Sequence, residues 1–534
     1  MKRHYGPRDM SIGQMTDPAP VALPRGEQVL PETEAEQVNA RGRWLPVFGA
    51  ILGAALFLVV RGSLTDDGYI TLAYAKNLAV HGEWGIIPGS PANSATSPLN
   101  VLLLAALTLL TRVVGDPHPV VALGILTVLC GGALGWAWQR IGRRLALPPA
   151  AGVLGVTLVL VNPFVLSAIG LEVLLIPAVL LVLTVFALEG RPILFGVTAG
   201  LTVLTRLDLI VFVVVIALSA PAIRRRLLPA AGVAVLTAAP WFVFSWVAFG
   251  SFVPDTLAIK QTQVGLFAPW TYSTGPVMYY LGYPVTVLVS FVPALLGAVA
   301  LAVWAAARFS VRWPEFPALG PVAALGAGGI LYFVAYSFIG VGPFHWYYVA
   351  PTTTVGSFAV AAFGAWFGQA RERTALRTGP PLLALGLTGV LVLSAAAVDA
   401  AQGVPWKSPV IFGNWASAQD YARVGKELGA RLDGASVASP GEIGTLAYYC
   451  ECAIIDEFSD RGHAKELVEQ RIATANPLMS LALRVNYHWL DRSITPRKPD
   501  YRLQYGSGPA TGPDSWQVQS AAKGVGHFTL TREP

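Results

Sequence analysis

"LTDDGYITLAYAKNLA", residues 64–79, sets two adjacent acids directly after the first long apolar run of the chain, residues 44–61. A helix needs about 20 apolar residues to cross a bilayer, so this run reads as a first span and the acids mark where the chain leaves the membrane. The residues that follow have helical spacing, with Ile70, Tyr74 and Leu78 on one face and Tyr69 and Lys76 on another. That pattern predicts a helix lying in the membrane interface. At its start, Thr65, Asp66 or Asp67 could simply cap the helix and complement its dipole. A carboxylate held at the depth of a lipid head group is also well placed to take a proton from an attacking hydroxyl.

The whole chain supports a membrane setting. Of its 534 residues, 54% are hydrophobic and 13% charged, against roughly a quarter charged in soluble proteins, and the mean hydropathy is +0.56. Charges concentrate at the two ends. This predicts a disordered cytoplasmic tail (1–43), a transmembrane domain (44–400) with an external loop at 62–96, and a polar C-terminal domain (401–534). Candidate spans lie near 44–61, 97–113, 118–139, 148–163, 165–188, 192–222, 228–249, 282–306, 318–340, 346–368 and 380–400, about eleven in all. The stretch 192–222 crosses once, or is two short spans broken at 205–208 with 97–113 lying in the interface. In both versions the acid pair, the loop 250–281, the junction "GPFHWYY" (342–348) and the C-terminal domain face outward.

The net charge of +6 resides largely in short loops such as "RIGRR" (140–144), "RRR" (224–226) and "RERTALR" (371–377), the positive-inside pattern. With no aromatic-basic platform, nucleic acid is excluded as a partner. In the C-terminal domain, "ASVAS" (435–439) and "CAIID" (452–456) read as strands, "GEIGTLAYY" (441–449) as a turn into a short helix and "HAKELVEQRIA" (463–473) as an amphipathic helix, an α/β or α+β arrangement. Cys450 and Cys452 are separated by one residue, a spacing that strains a disulfide, and two thiols alone make a poor metal site; they read as free or weakly paired. Cys130 lies in an apolar run.

Ionisable residues within or beside apolar runs are functional candidates because burying them is costly: Glu172, Arg206, Asp208 and Lys260. Arg206 and Asp208 could instead neutralise one another. Lys260 and His345 are external in both topologies and suit a phosphate leaving group. Walker, dinucleotide-binding and HExxH motifs are absent.

In order along the chain, "DDGYITLAYAKNLAVHGEWGIIPGSPANSATSPLNVLLL" (66–104), "GLEVLL" (170–175), "LTVLTRLD" (201–208), "FGSFVPDTLAIK" (249–260) and "GEIGTLAYYCECAIIDEFSD" (441–460) resemble the blocks of the GT-C superfamily of integral membrane glycosyltransferases. The set is most similar to the actinobacterial arabinofuranosyltransferase B type. The resemblance implies the GT-C fold in the plasma membrane and an inverting transfer of a sugar, best read as arabinofuranose, from a polyprenyl-phosphate donor to a cell-envelope glycan acceptor outside the cytoplasm. It implies Asp66 as the general base, with Asp67 supporting it or helping to hold a divalent metal cation. Arg206, Lys260 and His345 become candidates for the donor phosphate, and Tyr69, Tyr74, Lys76, Glu172, Asp255 and Trp346 for substrate contacts. A mannosyltransferase using the same lipid phosphate, or a non-enzymatic lipid-sugar flippase or transporter, are the alternatives.

Overall fold

A computed structural model of the protein describes residues 42–113, 115–262, 264–309, 319–373, 379–402, 408–432 and 434–533. The expected polar tail lies, except for its last two residues, outside the described residues, as do most of the basic cluster at 371–377 and the stretch 403–407; the expected boundary at 400/401 falls inside the helix Gly379–Gln402.

Among the described residues, the apolar runs between 45 and 402 are helical. Five helices among the described residues are long and apolar enough to cross a membrane, within 119–144, 227–249, 284–308, 320–339 and 381–401, and six shorter apolar helices accompany them. The protein is a multi-pass membrane protein. The first helix among the described residues, Leu45–Val60, packs closely along Pro119–Arg144. Gly49 on one helix and Gly131 and Gly135 on the other make this possible: a Cβ at any of the three would collide with a carbonyl of the opposite helix. This four-residue spacing of small residues lets helix backbones touch in a membrane.

The stretch 192–222 is broken. Pro192–Thr205 ends where Arg206 turns extended at φ −160° and ψ 134°, a single 3-10 turn covers Leu207–Leu209, and Ile210–Ser219 resumes as helix. The break falls within 205–208, where the sequence placed it.

Beyond the last long helix, a five-stranded sheet runs in the order β2-β1-β3-β5-β4, where β1 is Ser436–Ala438, β2 Ala453–Ile455, β3 Tyr501–Ser507, β4 Ser515–Ser520 and β5 Gly524–Arg532. Strand β1 pairs in parallel with β2 and β3, while β5 pairs antiparallel with β3 and β4. The amphipathic helix Ala418–Leu432 buries Tyr421, Val424 and Leu428 in a core shared with Val437, Ile454, Leu503 and Phe528. The expected strands, short helix and amphipathic helix are all present, the last as Arg461–Thr474.

Two expectations are corrected. The helix after the acid pair, Asp66–His81, does not lie on the membrane surface: Tyr69, Leu72, Tyr74 and Ala75 are all buried. It is enclosed because the helix Gly444–Cys450 covers the side left open by the membrane helices, stacking Tyr448 and Tyr449 about Tyr69. Cys450 and Cys452 are joined in a disulfide, since Glu451 takes a left-handed conformation at φ 54° that brings their Cα atoms to 5.0 Å, within the ordinary range for such a bond.

Gly444 is the point of closest approach between the covering helix and the buried one, and a Cβ there would collide with the Asp66 carbonyl. Gly444→Ala is expected to destabilise the fold by about 1–3 kcal/mol through overpacking, measured as a lowered midpoint of thermal unfolding in detergent.

Candidate functional site

Consecutive residues on a helix point about 100° apart, and this separates the two acids. Asp66 is buried, and its carboxylate faces the C-terminal layer. One oxygen accepts the Gly444 N–H at 2.9 Å and the other the Thr445 N–H at 2.7 Å. Nearby, Asn414 Oδ1 accepts the Thr65 hydroxyl at 3.1 Å. Glu442 accepts the Trp415 N–H at 3.1 Å and the Tyr421 hydroxyl. Burial, with a smaller contribution from neighbouring Asp67, raises the Asp66 pKa against the pull of the two N–H donors. Burial and the Asp66 charge push Glu442 up to about 8.

Asp67 faces the other way. It is half-buried and lines a cavity of about 80 Å³ with Ser94, Ala95, Thr96, Glu172, Arg206, Thr256, Lys260, Trp346, Tyr347 and Phe458 among its walls. Burial raises its pKa, and the Lys260 charge opposes the rise. The Lys260 ammonium sits over the rings of Phe344, Trp346 and Tyr347, 4.3, 5.1 and 5.7 Å from their centroids, and has no ion pair among the described residues. Arg206 is instead saturated: Nη1 meets Glu172 at 2.6 Å, Nη2 meets Asp208 at 2.6 Å and the Tyr336 hydroxyl at 2.8 Å, and Nε meets Asp208 at 3.1 Å. Its pairing with Asp208 is joined by a second acid, and its positive charge is spent inside the protein.

The other candidates stand apart from this cavity. Tyr69 is buried against Tyr448 and Tyr449. Tyr74 is fully buried and bonds Ala92 O at 2.9 Å and Ser94 Oγ at 2.8 Å, so it shapes the loop that lines the cavity. Lys76 pairs with Glu451 and lies over Tyr448. Asp255 is buried, with its backbone N–H bonded to Asn93 O at 2.8 Å, and burial pushes its pKa up to about 7. His345 is buried among Phe164, Tyr279 and Trp346, and burial lowers it to about 4, so it is neutral near pH 7. Of the expected site residues, Asp67, Glu172, Arg206, Lys260 and Trp346 share the cavity.

Sequence reasoning passed over Ser94 and Thr96, whose "NSATSP" stretch has turn composition, over Asn414, which carries no local motif, and over Glu442, which lies in the block 441–460 but was read there as part of a turn. Tyr347 sat visibly in an aromatic run beside Trp346. Carboxylate donors free to meet a divalent cation are few, and in the cavity the open one is Asp67. Among the described residues no three of His, Cys, Asp and Glu converge. Both Asp66 oxygens are occupied by backbone donors, and Glu172 is ion-paired. A second cavity of about 620 Å³, almost wholly apolar, lies between the helices Pro149–Leu160, Pro284–Phe309, Val349–Arg373 and Gly379–Gln402 and shares no wall residue with the first.

No family model matches the chain, and no curated protein matches its sequence. Solved structures do share its fold. ArnT from Cupriavidus metallidurans, in a crystal structure bound to undecaprenyl phosphate, superposes with a TM-score of 0.53 at 14% identity, over 91% of this chain and 97% of that one. Its apo state gives 0.53 at 14% identity over 93% and 98%. Arabinofuranosyltransferase AftD from Mycobacteria gives 0.46 at 14% identity, over 91% of this chain and 41% of that one. The chain thus shares the fold of ArnT, and its own helices form a membrane body that carries a C-terminal sheet layer.

Glu442 holds a proton in the folded state up to about pH 8, whereas a free glutamate loses it near 4.3. Its burial therefore favours folding fully below about pH 4.3 and progressively less as pH rises toward 8. Glu442→Gln is expected to flatten the fall of the thermal unfolding midpoint between pH 5 and 8, measured across a buffer series.

Proposed function

We propose that this protein is an inverting glycosyltransferase that moves a sugar, best read as arabinofuranose, from a polyprenyl-phosphate donor to a cell-envelope glycan on the outer face of the plasma membrane. The observation that carries the reading is the pairing in one cavity of Asp67, a carboxylate with no hydrogen-bonding side-chain partner among the described residues, and Lys260, a cation with no ion pair among them. The fold shared with ArnT, solved with undecaprenyl phosphate, supports the donor class.

In this mechanism Asp67, not Asp66, is the general base. It takes the proton of the acceptor hydroxyl as the acceptor oxygen attacks the anomeric carbon. The bond from that carbon to the phosphate oxygen breaks, its electron pair leaves with the polyprenyl phosphate, and Lys260 meets the charge that develops there. A single displacement inverts the anomeric centre. Raised by burial, the Asp67 pKa moves from the ordinary carboxylate range toward the working pH, which favours a base. Arg206, with Glu172 and Asp208, holds the wall rigid, and Trp346 and Tyr347 offer aromatic surface to a sugar ring.

Purified protein is expected to consume polyprenyl-phosphate arabinofuranose from a panel of synthetic donors. Preference for the mannose donor would replace the sugar assignment, and consumption of none would end the enzymatic reading.

Asp67→Asn is expected to lower turnover by about 10²-fold or more with little change in thermal stability. Asp66→Asn, which leaves one of two buried N–H groups without an acceptor, is expected to cost about 1–3 kcal/mol of stability while the folded fraction still transfers sugar. The reverse pattern would return the base to Asp66.

The same assignment predicts an acidic limb in kcat/KM, because activity falls as Asp67 becomes protonated with decreasing pH. Lys260→Met removes the charge that holds the Asp67 pKa down, so the limb should move to higher pH, as read from the pH profile of transfer.

A further inference from the structure

The C-terminal layer carries an apolar face that its own core does not use. Helix Pro477–Asn486 and the turn after it expose Leu478 at 79%, Leu481 at 60%, Val485 at 57% and Trp489 at 57%. At 100° per residue Leu478, Leu481 and Val485 fall within one narrow stripe, and Trp489 follows in the turn beyond the helix. The opposite side holds the helix in place: Leu483 and the buried Tyr487 pack against Val468, Ile472 and Ala258. The face is therefore displayed by a segment fixed from behind.

Its surroundings name the occupant. Val485 and Trp489 adjoin the end of Leu227–Phe249, one of the five helices suited to cross a membrane. Trp246 Nε1 on that helix donates to Val485 O at 3.2 Å, and the Trp246 and Trp489 rings are 6.4 Å apart. Asn486 bonds both the N–H and the carbonyl of Val253, at 2.7 and 3.3 Å. Gly250, at φ 78°, lets the 489–490 backbone press against the end of the helix. The stripe thus continues the exposed apolar face that Val243, Phe244 and Val247 present on the membrane helix. Tryptophans at such a junction match the aromatic belt of a bilayer interface.

We propose that this stripe is a membrane anchor, with Leu478, Leu481, Val485 and Trp489 inserted at the headgroup and acyl-chain boundary of the leaflet on the side of the C-terminal layer. The occupant is lipid. Through Tyr487, Val468 and Ile472 the anchor bears on Ala258, two residues before Lys260, and so sets the height of that cation relative to the leaflet. The proposal stands independently of the reaction assigned above.

The test uses full-length protein carrying Leu481→Cys or, as a second variant, Val485→Cys, each labelled with an environment-sensitive fluorophore. Native Cys130 is buried, and Cys450 and Cys452 are bonded to each other, which directs the label to the introduced thiol. A control label goes on Val525→Cys, an exposed valine in β5. The proteins are placed in nanodiscs of phosphatidylcholine and phosphatidylglycerol that carry a nitroxide in the headgroup or along the acyl chain. Labels at 481 and 485 are expected to emit at shorter wavelength and to be quenched several-fold more than the label at 525. Quenching no greater than at 525 would overturn the anchor, as would energy transfer between labels showing that a second copy covers the stripe.

Discussion

The carboxylate of Asp66, set between two backbone N–H groups of a helix more than 370 residues away in sequence, is the contact on which the arrangement of this protein depends. The first N–H groups of a helix have no partner within it. Gly444–Cys450 begins after Ile443, which has no side chain to satisfy them. The missing cap comes from the membrane body, and a carboxylate suits the positive end of the helix dipole. The absence of a side chain at Gly444 lets the two backbones approach closely enough for these bonds. Asn414 and Glu442 then fasten the segments on either side.

That contact decides what its neighbour does. With Asp66 turned toward the covering helix, the geometry of a helix turns Asp67 toward the cavity, and two identical side chains acquire different surroundings. The same sorting applies to the cations. Arg206 is neutralised by two acids and a tyrosine, while Lys260 keeps its charge over aromatic rings, so the positive charge available in the cavity is the lysine's. Where an isolated reading ranks charges by residue type, their worth in the structure is set by how many partners each already has.

Covering the Asp66–His81 helix also changes what counts as the membrane surface. Its apolar positions are consumed by packing on both sides. The amphipathic segment left in contact with the outside is Pro477–Asn486, whose core-facing side is only Leu483 and Tyr487. One layer of the fold therefore both closes the site and meets the bilayer, and helix Arg461–Thr474 links the two through Val468 and Ile472.

The membrane body was legible in the sequence because a bilayer imposes a long apolar run on each crossing, and such runs stand out without any knowledge of packing. The strands at 436–438 and 453–455 and their intervening helix were legible for a similar local reason, as short apolar runs between turn residues. The acid pair drew attention because ionised groups are costly near hydrocarbon. Three features were not legible. The cap that Asp66 provides, the disulfide made possible by the left-handed Glu451 and the addition of Glu172 and Tyr336 to the Arg206–Asp208 pair each depend on partners or backbone angles that residue identity does not encode. Sequence by itself determined a multi-pass helical protein with an acid pair at the end of its first span. Tertiary structure alone decided which acid meets the covering helix and which faces the cavity, because a hydrogen bond is made between atoms brought together in space, not between neighbours along the chain.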